Sequence, residues 1–148
     1  MDEFNLEKYL GTWYEQGSTP FYFAKGCKNS KAEYEIVEKG VIRVKNSCDR
    51  KGGVDTAEGR GYASNKPRTL RVGFFPKSYP LFRADYNVRY IDDEYSEAIV
   101  TSGKLVWFLT RDENIGMEGY ERMLEKAKYL GINTSQVQRT RIGKLIEV

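Results

Sequence analysis

Along most of this chain, apolar and polar residues alternate with a period of two. That is the mark of a strand whose two faces meet different surroundings. In "AEYEIVE" (32–38), Tyr34 and Ile36 fall on one face and Glu33 and Glu35 on the other. Lys39-Gly40 reads as a turn, and "VIRVKNS" (41–47) returns with Ile42, Val44 and Asn46 on one face, Arg43 and Lys45 on the other. The pair forms a hairpin with opposite charges on its wet face. "VDTAEGRGYA" (54–63) is a glycine-bearing strand, of the kind found where a sheet bends sharply. "TLRVGFFP" (69–76) sets Leu70, Val72 and Phe74 against Arg71, Gly73 and Phe75. "RADYNVRYID" (83–92) sets Tyr86, Val88 and Tyr90 against Asn87, Arg89 and Ile91. "YSEAIVTS" (95–102) follows. "LVWFLTR" (105–111) then places Leu105, Trp107, Leu109 and Arg111 on one face, Val106 and Phe108 on the other. With "TWYEQGS" (12–18) at the start, eight strands are predicted.

One segment departs from this period. Residues 117–131, "MEGYERMLEKAKYLG", repeat Tyr120, Leu124 and Ala127 along one stripe, with Met123 and Leu130 beside it and Gly131 as a stop. A helix after the last strong strand has to pack outside the sheet, where Ile91, Val106 and Phe108 point by parity. The tail "QRTRIGKLIEV" (138–148) is expected to add at most a short ninth strand, and its Arg139 to Lys144 cluster reads as a solvated tail. Every link between strands is a short turn or loop, so sequence neighbours pair in space. A two-sheet sandwich could be built from these strands. A closed barrel is favoured, because closure removes the exposed edges. The predicted fold is all-β: an eight-stranded antiparallel up-and-down barrel with one C-terminal helix outside, in a single domain over residues 1–148.

The predicted inner face comprises Tyr34, Ile36, Ile42, Val44, Asn46, Leu70, Val72, Phe74, Tyr86, Val88, Tyr90, Leu105, Trp107 and Leu109. A barrel of this size is either filled by side chains or holds one small ligand. Tyrosine is the informative residue, with 11 in 148 residues. A buried phenol needs a hydrogen-bond partner, so so many on one inner face suit a cavity with polar tips better than a plain core. In a closed barrel the first and last strands are neighbours, which brings Trp13 to Arg111. Their stacking would close one end, and Gly11 would let the entering backbone pass close beneath. Glu15 shares parity with Trp13 and is expected as a polar contact at that closed end.

Charge and composition mostly exclude. Net charge is +3 with both signs interspersed, which leaves no nucleic-acid stripe. The chain has no histidine, which removes Ser-His and Cys-His catalysis and the common zinc hydrolase sites. No catalytic residue, metal site or cofactor is assigned. Cys27 and Cys48 are either a pair or two buried thiols. The hairpin turn at Lys39-Gly40 runs their two arms back antiparallel, and an irregular stretch at residues 26–30 can absorb the difference in length. A Cys27–Cys48 disulfide is therefore expected, and with it an oxidising compartment and a leader that precedes this sequence. An enzyme acting on a reactive lipid through a free cysteine is the alternative.

Gly-x-Trp-Tyr-Glu at 11–15, "ADYNVRYID" at 84–92 and "LVWFLTR" at 105–111 resemble the three signature regions of the lipocalins, in the branch of bacterial and apolipoprotein D-like members. The resemblance runs over about residues 6 to 140. Ala84 stands where the usual pattern has threonine. The resemblance implies a calyx open at one end that binds a fatty acid, a lysophospholipid or a similar apolar molecule, in storage or transport linked to membrane lipids. It implies pocket positions at Tyr34, Asn46, Tyr86 and Trp107, to which parity adds Phe74 and Val88. Bacterial relatives place the protein in the periplasm or at the outer membrane, with an extracellular location as the alternative. A membrane surface and a second copy of the chain are held open as partners.

Overall fold

The computed structural model describes residues 4–20, 28–50, 53–64, 66, 68–74 and 84–141. Cys27, the loop between Pro76 and Pro80, and the tail from Ile142 lie outside the described residues. A short helix, α1 (Leu6–Tyr9), leads into β1 (Gly11–Ser18). There follow β2 (Lys28–Glu38), β3 (Val41–Arg50), β4 (Gly53–Ala63), β5 (Thr69–Phe74), β6 (Ala84–Ile91), β7 (Glu97–Ser102) and β8 (Leu105–Thr110). The helix α2 (Gly116–Tyr129) and the two-residue β9 (Gln138–Arg139) complete the order. Strands β2 to β8 pair in sequence, β8 pairs with β1, and β1 pairs back to β2, so the eight strands close into a barrel. The β2–β3 hairpin sets Glu35 opposite Arg43 and Glu33 opposite Lys45, and Arg43 reaches Glu35 at 3.3 Å and Glu58 on β4 at 2.8 Å. All three are solvent-facing, so the pairs favour the register more than they stabilise it.

Two cores lie on the two sides of this wall. Inside are Trp13, Tyr34, Ile42, Val44, Leu70, Val72, Val88, Val100 and Leu109, with Tyr9 entering from α1. Outside, α2 lays Tyr120, Met123 and Ala127 on Ile99, Val106 and Phe108. Gly17 on β1 makes that contact feasible. A Cβ there would come within 2.6 Å of the Tyr120 ring and 3.0 Å of the Gln138 carbonyl, so any larger residue would push the helix away.

Three expectations are corrected, two of them on the inner face. Tyr90 is not inward. It packs in the outer cluster beneath α2, with the Lys126 ammonium 5.0 Å from its ring centroid, while Ile91 packs against the inner cluster. The cause is a register shift in the β6–β7 ladder between Val88 and Tyr90. A bulge inserts one residue and swaps the faces beyond it. Ile36 is 44% exposed, not lining the barrel. Strand β1 first pairs with β2 at Tyr34, so residues past Tyr34 overhang without a neighbour on that side. The third correction concerns the tail.

Arg141 is 5% exposed, not part of a solvated tail. The lower half of β1 pairs with β2 from Gly11 to Tyr14, while its upper half pairs with β8, with a bulge between Glu15 and Gly17. Where β1 and β2 part, the tail fills the wall: β9 pairs with Gly17 and Ser18. Arg141 donates to the carbonyls of Glu15 at 3.2 Å and Ser30 at 2.8 Å, one on each parting strand. Its ion pair with Glu113 at 3.1 Å and its position 5.1 Å from the Tyr14 ring hold it there. Backbone carbonyls left bare by the split thus receive a charged donor.

At the closed end the Arg111 guanidinium lies 3.9 Å from the Trp13 ring centroid. It donates to the carbonyls of Lys8, Leu10 and Thr12, each at 2.8 Å, and to Tyr95 at 3.2 Å. Trp13 is fully buried, and its indole N–H donates to the Tyr9 carbonyl at 2.7 Å. Gly11 has φ +103°, and a Cβ there would stand 3.2 Å from the guanidinium. Truncation of Arg111 to alanine leaves four carbonyls without that donor and uncovers Trp13. Arg111→Ala is expected to lower stability by about 2–4 kcal/mol in chemical denaturation. A loss no larger than that of an ordinary surface substitution would remove Arg111 from the closure.

Candidate functional site

The inner wall changes character along its length. On β3 the inward side chains Ile42 and Val44 are 2% and 3% exposed, but the next inward one, Asn46, is exposed. Opposite them on β4 stand Gly61, Gly59 and Ala57, of which only Ala57 is exposed. Among the described residues the inner wall is therefore tightly packed near α1 and less covered at Asn46 and Ala57. Strand β4 contributes no bulk to the interior at these three positions, because every second residue there is glycine or alanine. Ala32 on β2 flanks Asn46 from the other side, so that amide sits between two methyl groups with room around it.

Five of the six predicted ligand positions share this inner surface. Tyr34 and Val88 are buried, Tyr86 and Trp107 are half-buried against the inner cluster, and Asn46 is exposed. For the sixth, Phe74, the backbone pairs with Gly59, and its side chain lies outside the described residues. The three closure residues, Gly11, Trp13 and Arg111, sit together beneath this space. Cys48 is buried on β3, and its predicted partner Cys27 lies outside the described residues.

Tyrosines organise the packed end. The Tyr86 hydroxyl is hydrogen-bonded to that of Tyr9 and, at 2.7 Å, to that of Tyr34. The Tyr9 and Tyr34 rings stack with centroids 5.4 Å apart, and Tyr86 meets Tyr34 edge-on at 6.0 Å. Burial, first of all, pushes the Tyr34 phenol up to about 12 and those of Tyr9 and Tyr86 well above 10, so all three stay neutral. Tyr9 was not anticipated as a site residue. It precedes the first strand, so period-two parity says nothing about it.

The expectation for Glu15 is corrected as well. It pairs with Leu109 in the wall above the closure, and the Ser18 hydroxyl donates to its carboxylate at 3.2 Å. It makes no part of the Trp13–Arg111 contact. Burial is the largest influence on this carboxyl and raises it above 4.5. The Thr140 and Ser18 hydroxyls and the Arg141 charge pull the other way. The missed signal for the interior is "AEGRG": small residues at 57, 59 and 61 share one face, and such a face leaves space. Among the described residues no group of acidic, cysteine or histidine side chains could hold a metal ion, and no helix is long and apolar enough to cross a membrane.

Comparison with known proteins points one way. A family model described as a lipocalin-like domain matches residues 4–141. A putative lipocalin, R877, of Acanthamoeba polyphaga mimivirus is 33% identical over 125 residues, covering 81% of this chain and 74% of that protein. The outer membrane lipoprotein Blc of Escherichia coli is 32% identical over 143 residues, covering 92% and 78%. Among solved structures, lobster apocrustacyanin A1 superposes with a TM-score of 0.74, covering 95% of this chain and 81% of that one. At 17% identity, that likeness shows the shared fold.

The buried carboxyl gives a pH signature. Well below pH 4.5 Glu15 is neutral in both folded and unfolded chains. As pH rises, the unfolded chain ionises first, so the folded state loses stability from this group until its own raised value is passed. Glu15→Gln removes that loss. Its melting temperature relative to the parent is expected to rise between pH 4.5 and neutrality. A difference independent of pH would mean that the folded carboxyl is not held above its ordinary value.

Proposed function

The chain belongs to the lipocalin family, whose members bind small hydrophobic ligands, and on that premise we propose that this barrel binds a fatty acid, a lysophospholipid or a similar lipid for storage or transport. The observation that carries the reading is the change along β3 and β4, from packed Ile42 and Val44 to open Asn46 and Ala57 across a strand of glycine and alanine. A filled barrel would bring bulk to those positions. Tyr34, Asn46, Phe74, Tyr86, Val88 and Trp107 are proposed as the contacts. Apolar walls with a few polar tips match a lipid chain and one head group. Mass spectrometry of the protein purified from its own source, under conditions that keep complexes intact, should show one bound apolar molecule per chain. Recovery of the empty chain alone would count against a resident lipid.

The same reading extends to place and redox state. The relatives called outer membrane lipoproteins support a site in the bacterial envelope, where the protein would serve membrane lipid maintenance against a membrane surface, alone or as a dimer. A Cys27–Cys48 disulfide belongs to that setting. It is supported by the absence of any free cysteine among the described residues. Closing a loop of about 22 residues contributes roughly 3 kcal/mol in the chain-entropy model. Intact mass with and without alkylation, in the absence of reductant, is expected to show no added label. Two labelled thiols on protein made in an oxidising compartment would sink the bond and favour an enzyme with a free cysteine.

Trp107 reports on the cavity. Trp13 is fully buried beneath Arg111, whereas Trp107 is half-buried on the inner wall, so a fluorescence change on lipid binding should come from Trp107. In Trp107→Phe the signal is expected to vanish and the affinity to fall by several-fold. An unchanged signal and affinity would place the ligand elsewhere.

A further inference from the structure

The tyrosine group at the packed end has a hydrogen-bonding capacity that closure of the barrel does not use. A phenol oxygen can give one hydrogen bond and receive two. Two of the three places on the Tyr86 oxygen are taken by Tyr9 and Tyr34. Tyr9 and Tyr34 are 1% and 6% exposed, while Tyr86 is only half-buried. Of the three residues Tyr86 is the least buried, so the remaining place on its oxygen is the one a ligand in the interior would meet.

The surroundings select the kind of group that can reach it. A carboxylate moved to this depth loses its hydration, and it needs a charged donor in return. Arg111 is the cation of this end, but it donates to the carbonyls of Lys8, Leu10, Thr12 and Tyr95 and is stacked on Trp13. Arg141 is buried in the wall, bound to Glu113 and to two carbonyls. The phenols remain neutral themselves and offer no charge. An uncharged hydroxyl meets no such penalty. It also suits either arrangement of the phenol hydrogens. If Tyr9 and Tyr34 both donate to Tyr86, the Tyr86 hydrogen points to the ligand. If Tyr86 donates to one of them, its lone pair receives from the ligand.

We propose that the packed end of the barrel is a subsite for an uncharged hydroxyl at one end of an apolar ligand, which enters polar end first and hydrogen-bonds to Tyr86. This rests on the reading of the barrel as a lipid-binding cavity and narrows it to long-chain or ring alcohols. Carboxylates, by contrast, keep their head group at the open end near Asn46.

The test is displacement of the neutral fluorophore N-phenyl-1-naphthylamine by 1-dodecanol, dodecane and dodecanoate at about pH 8, where the carboxylate is ionised. In the parent protein 1-dodecanol should bind about tenfold more tightly than either of the others. Tyr86→Phe should weaken the alcohol about tenfold more than it weakens dodecane or dodecanoate. Dodecanoate binding as tightly as the alcohol, or Tyr86→Phe affecting alcohol and alkane alike, overturns the subsite. A second readout serves if Tyr86→Phe fails to fold. The ultraviolet difference spectrum of the parent's tyrosines should shift with 1-dodecanol and not with dodecane, and identical spectra overturn the proposal. Failure of all three ligands to displace a bound fluorophore rejects the subsite and leaves the cavity reading standing. Failure of the fluorophore itself to bind rejects the cavity reading, and the subsite with it.

Discussion

The contact between Arg111 and Trp13 fixes the geometry on which the remainder of the barrel depends. The arginine follows the last strong strand and the tryptophan sits in the first, so their meeting brings together residues far apart in the chain. One guanidinium covers the indole face and gives hydrogen bonds to carbonyls of α1, β1 and the β6–β7 turn. A planar, permanently charged fork is suited to this, since it stacks with its face and donates along its edge. The backbone must pass directly against it, which is why residue 11 is glycine. This contact seals one end of the barrel.

The rest of the wall shows how a closed sheet handles mismatched strands. Two of its register shifts show this best. The one in β1 lets its lower half pair with β2 and its upper half turn to β8 and β9. The split exposes carbonyls on both strands, and the buried Arg141 meets them. The one in β6 exchanges the faces of Tyr90 and Ile91, giving α2 an aromatic ring and the barrel an aliphatic side chain. In each case one added residue redirects side chains without breaking closure.

Space inside the barrel arises from what is absent on β4 as much as from what is present elsewhere. Large side chains from β2, β3, β5 and β6 fill the end near α1, where Tyr9 adds a third phenol to Tyr34 and Tyr86. Farther along, Ala32 and Ala57 flank Asn46 and the packing gives way. A lipid chain suits such an interior because dispersion contacts need shape and not direction, while the few hydroxyls and one amide choose the orientation of the polar end.

The strands, the helix from residue 117 and the sides of most residues were legible in the chain itself. Alternation with period two places Ile42, Val44, Leu70, Val72, Val88 and Leu109 inside, because a half-buried strand must separate its faces. The Gly11, Trp13 and Arg111 constellation was legible too, since closure forces the first and last strands together. Parity cannot see an inserted residue, so Tyr90, Ile91 and the turn of β1 at Gln16 were decided only when the ladders formed. Nor does local pattern carry the length of a neighbouring strand, which left Ile36 overhanging, or a contact across more than a hundred residues, which buries Arg141 between β1 and β2. Alternation thus determined which face each strand offers. The tertiary structure decided where that alternation slips and which distant side chain fills the gap, because both depend on strands meeting in three dimensions.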